Sequence, residues 1–344
     1  MVAMAGAALF KPGELFASDF FQTDMLSFDL HCHPGVFFGR GMKGYPGDSG
    51  VVKTVTEMNT GRLSGAFFGL VADLQIIEIT PTGVVPKGSY PAGEAWKEYK
   101  RQLSALKELF ETLPVSLAKR AADLDKAVGG KKVAAFISCE GGEFLDGNAS
   151  HLDEMYAEGV RSLQLVHYAP NVLGDIQTAP PQHNGLSKSG KEVVTKMNKL
   201  GMVIDVAHAS YDTVKAVSDI TDSPIILSHS ILKMEENRPI AKRAISVEHA
   251  KLIAKTGGVI GAWPSGFNAS FDEFVDNTLR LVDAVGIDHV GLGTDMDSNF
   301  KPVFNSYLQL PQWADALATK GLSREEVGKI LGGNARRVLG RVLK

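Results

Sequence analysis

Eight short apolar runs recur along this chain, six of them ending in a polar residue, and most lead into a segment with helical spacing. The runs cover 26–33, 65–72, 132–140, 161–167, 202–208, 224–229, 258–263 and 289–295. Stretches such as MVIDVA and PIILS are almost wholly apolar, which suits strands covered on both faces, as parallel strands are. Between them lie amphipathic stretches: 95–113 is the clearest helix, 247–255, 271–284 and 324–331 follow, and 334–342 closes the chain. Strands alternating with helices in one continuous run predict an α/β fold, a (β/α)₈ barrel of the TIM type. An open doubly wound sheet is the rival, but it would carry a Gly-rich turn after its first strand, and DLHCHPG is not one. Segments 77–94 and 169–186 read as long loops near the strand ends. Neither a repeat nor a linker divides the chain, so 23–344 reads as one barrel domain after an N-terminal segment, 1–22.

The net charge is −3, which leaves no basic stripe to neutralise phosphates and excludes nucleic acid as the partner. No apolar run approaches the roughly 20 residues that a transmembrane helix needs. The first segment, MVAMAGAALF and on to Ser18, is rich in small apolar residues, but no Lys or Arg precedes Lys11. As the remnant of an export signal it implies a periplasmic or extracytoplasmic location; as an arm packed on the barrel it implies a cytoplasmic one. The two cysteines, Cys32 and Cys139, frame no disulfide scaffold. Each neighbours a metal-competent residue, yet strand alternation turns neighbours to opposite faces. Two strands apart, at roughly 9–10 Å, they are too distant to bridge and are expected as buried apolar fillers.

In a parallel barrel, function collects where strands end and βα loops begin. His31 and His33 end the first run, Glu140 the third, His167 the fourth, His208 the fifth, His229 the sixth and Asp295 the eighth. His31 and His33 share a strand face about 6–7 Å apart along the chain, close enough to converge on one ion. Imidazole suits zinc, whereas a hard cation prefers oxygen. A buried carboxylate such as Glu140 is costly unless paired or metal-bound, and its two oxygens can bridge two ions. Gly141 and Gly142 after it allow a sharp turn or a close approach. Taken singly, His208 and His229 would read as structural histidines; beside a His-x-His pair and a carboxylate they read as ligands. Four histidines and one shared glutamate suffice for two zinc ions with positions left open for water. Asp205, three residues before His208, is placed by alternation on the opposite face and reads as structural. Asp29 shares the parity of His31 and is expected to orient a ligand. Asp295 is placed for proton transfer, with Asp297 as a helper on the same face; helix capping is the alternative for both.

The motifs SCEGGEF, MNKLGMVIDVAHAS, PIILSHS, GIDHVGLGTDMD and GGNARRVL resemble the membrane (renal) dipeptidase family, peptidase family M19, an amidohydrolase-like group, from about Phe28 to the C-terminus. The resemblance implies a barrel with two zinc ions, or other divalent metals, bridged by Glu140 and a water or hydroxide. His31 and His33 would hold one ion, His208 and His229 the other. It further implies that Asp295 handles proton transfer or the substrate amine, that His167 stabilises the oxyanion, and that Arg243 binds the substrate carboxylate, with Arg238 as second choice. One departure stands out: the family's first motif is His-x-Asp, and here it is His31-Cys32-His33. The exchange removes a negative charge, although both side chains bind zinc at about 2.0–2.2 Å. Ser298 also follows Asp297 where glycine is common. The function expected is a zinc dipeptidase acting on small dipeptides, with D-residues at the C-terminal position and a homodimer left open. Two alternatives remain at this stage: another binuclear amidohydrolase acting on a lactam, ester or N-acyl amide, which would not need Arg243, and a metal-binding homologue without turnover.

Overall fold

The computed structural model describes residues 21, 25–80, 83–234, 238 and 240–344, so the two readings of the segment up to Ser18 lie outside the described residues. Eleven strands are seen there: β1 (Phe28–Cys32), β2 (Gly65–Val71), β3 (Ile77–Thr80), β4 (Gly83–Pro86), β5 (Val115–Leu117), β6 (Val133–Glu140), β7 (Val160–Gln164), β8 (Val203–Asp205), β9 (Ile226–Ser230), β10 (Val259–Ala262) and β11 (Val290–Leu292). Eight of them form a closed parallel ring in the order β2-β1-β11-β10-β9-β8-β7-β6, and β6 pairs back onto β2 from Gly65↔Ala134 to Val71↔Glu140. These are the eight runs predicted from sequence, mostly trimmed at their polar ends. A (β/α)₈ barrel is the fold.

The α-helices among the described residues are α1 (Ser49–Thr60), α2 (Glu94–Thr112), α3 (Ala121–Ala127), α4 (His151–Glu158), α5 (Lys188–Leu200), α6 (Tyr211–Ile220), α7 (Val247–Lys255), α8 (Phe271–Val285), α9 (Leu310–Thr319), α10 (Arg324–Gly328) and α11 (Asn334–Val342), alongside short 3₁₀ and π turns. Several start on a serine cap directly after a loop that leaves the barrel mouth. Ser210, Ser246 and Ser270 accept from the amides of Thr213, His249 and Glu273, each worth about 1 kcal/mol against alanine. Their amphipathic faces pack inward; on α8 these are Phe274, Val275, Thr278 and Leu281.

Two layers of core follow from strand alternation. Outward-facing residues such as Phe68, Ile137, Leu163, Ile204, Leu227 and Leu292 meet the helices. Inside, Phe28, Phe67 and Phe136 pack edge to face at 5.4–5.8 Å, joined by Val203, Ile226 and Val259. Val338, Leu339 and Val342 of α11 belong to this same inner cluster, so the N-terminal end of the barrel is sealed by apolar side chains. Each of those phenylalanines contributes about 1.5–3 kcal/mol by burial. Polar chemistry is thereby confined to the other end.

Two features depart from the sequence reading. Segment 77–94, expected as a loop, begins with the antiparallel hairpin β3–β4, whose Ile79 is 84% exposed. Short strand β5 pairs with the start of β6, whose same edge is taken over by β7 from Ile137 onward. These three strands, of four, four and three residues, are too short for periodicity to reveal. Among the described residues no helix is long and apolar enough to cross a membrane.

Candidate metal centre

Glu140 is the last residue of β6 and is buried at the mouth of the barrel. Its Oε2 lies 3.2 Å from His33 Nε2, and its Oε1 lies 3.3 Å from His31 Nε2, 3.3 Å from His167 Nε2, 3.5 Å from His208 Nε2 and 3.9 Å from His229 Nε2. One carboxylate is thus ringed by five imidazoles, all presenting the same nitrogen. His31 and His33 approach to 2.9 Å between Nε2 atoms, His208 and His229 to 3.1 Å.

The local chain explains how each ring is aimed. His31 and His33, two residues apart at the end of β1, share a face by alternation, and a register change against β2 between Asp29 and Cys32 separates them from the regular part of the strand. His33 donates from Nδ1 to the Gly69 carbonyl at 2.9 Å, so its Nε2 is the atom left facing Glu140. Gly69 is glycine for a reason: a Cβ there would lie 2.8 Å from His33 Cε1 and 3.3 Å from His31 Cε1. His229 packs Nδ1 against Ser228 Oγ at 3.0 Å. Gly141, after Glu140, takes φ +102°, a turn that glycine makes at little cost. His208 and Asp295 adopt left-handed backbone at φ 65° and 52° without being glycine, at about 1–3 kcal/mol each. Strain of that size collects where a side chain must be held in place.

Charge follows from burial and neighbours. Burial raises the Glu140 carboxyl, but the charges of His167 and His31 overcome it and hold the group well below its ordinary range. Burial lowers His31 and His167, yet the carboxylates beside them push both up to about 9: Glu140 for His31, Asp73 and then Glu140 for His167. His208 and His229 go the other way, lowered by burial and by neighbouring cations. Asp295, 3.5 Å from His33 Nε2, is raised to about 6, first by burial, with His33 opposing and Glu140 adding to it.

The donor set fits a divalent cation. Ligands held at about 2.0–2.2 Å in a tetrahedral shell stand roughly 3.3–3.6 Å apart, and His31, His33 and His208 stand 3.3, 3.2 and 3.5 Å from Glu140. His31, His33 and Glu140 form one triad with ligand atoms within 4.8 Å of one another; Glu140, His167 and His208 form a second that shares the carboxylate. His229 stands slightly farther out, beside His208.

The remaining expected residues divide. Arg243 is buried beside the cluster, with its guanidinium over the Trp263 ring at 5.5 Å and donating to Gln177, while Nε and Nη2 have no partner among the described residues. Arg238 is engaged elsewhere, bonded to Glu273 of α8 at 2.7 Å. Asp297 does not help Asp295: its exposed carboxylate accepts from Gly35 N and Thr54 Oγ1, both at 2.6 Å, and so ties down the loop after β1. Asp29 does not reach an imidazole either. The register change turns it toward Thr294 and Tyr307, and it touches His31 only through the backbone amide. Asp205 accepts backbone amides of Ala207 and Ser228. The alternation invoked for it fails, however, because β8 ends at Asp205 and His208 stands in the turn beyond. Cys32 and Cys139 are buried and free. Sequence reasoning missed Gly69 and also Asp73, which is bonded to His167; Asp73 follows the second run directly, the same signal that marked the others.

A closed parallel barrel whose mouth holds this imidazole-rich cluster defines the class: a (β/α)₈ barrel of the metal-dependent hydrolase type. The sequence matches the membrane dipeptidase family (peptidase family M19) over residues 19–344, and the chain belongs to that family. Among curated relatives, dipeptidase tcpJ of Claviceps purpurea (strain 20.1) is 28% identical over 270 residues, 74% of this chain and 63% of that one. Dipeptidase aclJ of Aspergillus oryzae (strain ATCC 42149 / RIB 40) is 29% identical over 61% of this chain and 52% of its own length. The chain thus spans less than two thirds of the length of these relatives. Among solved structures, the probable dipeptidase PvdM from Pseudomonas aeruginosa aligns with TM-score 0.77 at 23% identity, over 93% of this chain and 96% of that one. A metallo peptidase from Rhodobacter sphaeroides, liganded with a phosphinate mimic of the dipeptide L-Ala-D-Ala, aligns with TM-score 0.78 at 20% identity, over 93% and 99%.

Proposed function

We propose that this protein is a binuclear zinc dipeptidase that hydrolyses the peptide bond of small dipeptides, D-residues at the C-terminal position included. The observation that carries the reading is Glu140, a single buried carboxylate with one oxygen toward His33 and the other toward His31, His167 and His208. Membership of the dipeptidase family and the dipeptide mimic held by the Rhodobacter protein support it. His31 and His33 would hold one ion and His208 and His229 the other, with Glu140 between them; an imidazole-rich set favours zinc over magnesium or calcium. Bound there, the ions would polarise the scissile carbonyl and bring the pKa of a coordinated water from 15.7 to about 7.

The chain's own groups do the rest. Asp295, with a pKa of about 6, is ionised at neutral pH and can take a proton from the attacking water and return it to the leaving amine. His167, with a pKa of about 9, carries protons on both nitrogens at pH 7; Asp73 takes one, and Nε2–H donates to the carbonyl oxygen as charge grows there. A single donor of that kind is worth about 3–4 kcal/mol. Arg243 offers its free Nε and Nη2 to the terminal carboxylate as a two-pronged contact, which restricts substrates to short peptides with a free C-terminus.

The test is metal analysis of the purified protein alongside a panel of dipeptides of either C-terminal stereochemistry, their amides, N-acyl amino acids and a lactam. Two zinc ions per chain and hydrolysis confined to free dipeptides are expected. His31→Ala and Glu140→Gln should abolish turnover and lower the zinc content. Activity retained in both variants refutes the reading.

A further inference from the structure

Asp73 has no part in the bond-breaking steps above, yet it is fully buried and its three side-chain hydrogen bonds all go to the segment 167–169. It stands in the turn after β2; β7, whose following segment carries His167, is the second strand over, with β6 and Glu140 between them. Its Oδ1 accepts from His167 Nδ1 at 2.7 Å. Its Oδ2 accepts from two consecutive backbone amides, Tyr168 at 3.0 Å and Ala169 at 2.9 Å. Tyr168 in turn stands close enough to the Arg243 guanidinium for the two groups to perturb each other's charge. One carboxylate therefore grips the segment whose two leading side chains lie beside Glu140, through His167, and beside Arg243, through Tyr168.

We propose that Asp73 is a positioning residue that fixes which nitrogen of His167 faces Glu140 and holds His167 and the Tyr168–Arg243 pair in one frame. The inference rests on the dipeptidase reading for what His167 and Arg243 bind. The physical basis is the polarity of the contact. A carboxylate flanked by donors is acceptor-only, so Nδ1 must carry the hydrogen, and Nε2 is left 3.3 Å from Glu140 Oε1. The two amide bonds fix the main chain, so the ring can neither flip nor slide without breaking charge-assisted hydrogen bonds. A purely structural anchor would need only the amides.

That difference makes the role testable in the full-length, zinc-loaded protein. In Asp73→Asn the amide oxygen can still accept from Tyr168 and Ala169, but its NH₂ points at His167 Nδ1, so that two donors meet where a carboxylate oxygen had accepted. We expect zinc content and melting temperature to stay near wild type and KM for a dipeptide to change by less than about threefold. kcat should fall about 10- to 100-fold, as when supporting partners of active-site histidines are removed. In a His167→Asn background Asp73→Asn should cost nothing further. Asp73→Ala, which also cuts the amide anchors, should raise KM as well, because the Tyr168–Arg243 frame is released. Wild-type kcat in Asp73→Asn overturns the proposal, and so does an equal loss from Asp73→Asn with and without His167. An independent reading needs no variant: ¹⁵N NMR of the wild-type imidazoles should find His167 protonated at Nδ1 and hydrogen-bonded there. An unprotonated Nδ1 would also sink the proposal. If the wild-type protein binds no zinc or cleaves no dipeptide, the functional reading has failed, and the NMR result still decides the placement of His167.

Discussion

Replacing Gly69 by alanine adds one methyl group at the place where the first histidine pair is packed most tightly. The new Cβ would stand 2.8 Å from His33 Cε1, 3.2 Å from His33 Nδ1 and 3.3 Å from His31 Cε1. Carbon atoms in ordinary contact sit about 3.5–4.0 Å apart, so the His33 ring must retreat by roughly 0.7 Å or more. Retreat is resisted on two sides: Nδ1 is tethered to the carbonyl of Gly69 itself, and Phe38 lies edge-on with its ring centroid 5.3 Å away. A metal site tolerates ligand displacements of only about 0.2 Å, so the His31–His33–Glu140 position should lose its ion while the His208–His229 position keeps its own. If the ring holds its ground instead, overpacking costs about 1–3 kcal/mol of stability. The assay is zinc per chain after dialysis against a weak chelator, read beside the melting temperature. Wild type should hold two ions and Gly69→Ala about one, with turnover lost in proportion. A Gly69→Ala protein that binds two ions with unchanged affinity and melts like wild type would show that His33 is not held as described.

Arg243→Ala should lower kcat/KM for dipeptides by about 2–5 kcal/mol, roughly 30- to 5000-fold, while dipeptide amides, slow in wild type, should be indifferent to the change; steady-state kinetics on both series checks it. Zinc affinity should strengthen with pH up to about 9, near tenfold per unit for each proton displaced, because His31 must give up a proton it holds to about that pH. For the chelator-stripped protein the sign is opposite. His31's folded pKa lies above its free value of 6.5, so its stabilising effect is complete below pH 6.5 and is lost as pH rises to about 9, a trend that denaturation of stripped and loaded protein across this window will measure. Glu143 tests the same linkage away from the ligands. One oxygen accepts from Asn171 and the other is buried without a partner among the described residues, and burial together with the charge of Asp73 raises its pKa to about 8. The folded protein therefore keeps a proton that the unfolded chain releases near 4.5, and stability should fall by up to about 1.4 kcal/mol per pH unit from there to pH 8. Glu143→Gln should flatten that slope in urea denaturation series.

How much of this was legible in the sequence depends on which signal each residue leaves. The barrel was legible because burial on both faces leaves nearly unbroken apolar runs, and each of the eight ring strands overlaps one of them. His31, His33, Glu140, His167, His208, His229 and Asp295 were legible because a polar side chain at the end of such a run has no cheap structural use. Asp29, Asp205 and Asp297 show where that reasoning ran out. Alternation counts residues as though strands were regular, but β1 shifts register after Asp29 and β8 stops at Asp205, before the turn that carries His208. Neither irregularity has a composition signature, since each is set by what the neighbouring strand offers. Gly69 was invisible for a related reason: a glycine inside an apolar strand looks like weak β propensity until the histidine lying across it is seen.

The residues that aim the cluster lie one contact behind those that compose it, and each acts by deciding which imidazole nitrogen is free. Gly69's carbonyl does so for His33 and Asp73's carboxylate for His167, in both cases by accepting from Nδ1. The same logic accounts for the strained backbone. His208 and Asp295 each give up about 1–3 kcal/mol to sit in left-handed turns that bring their side chains over Glu140 from β8 and β11, against a barrel whose inner aromatic cluster and serine-capped helices more than offset it. A first-strand histidine in place of the family's aspartate fits that scheme. An imidazole needs a fixed nitrogen where an aspartate needs only an oxygen, and the open face of Gly69 supplies both the carbonyl that fixes it and the room the ring requires.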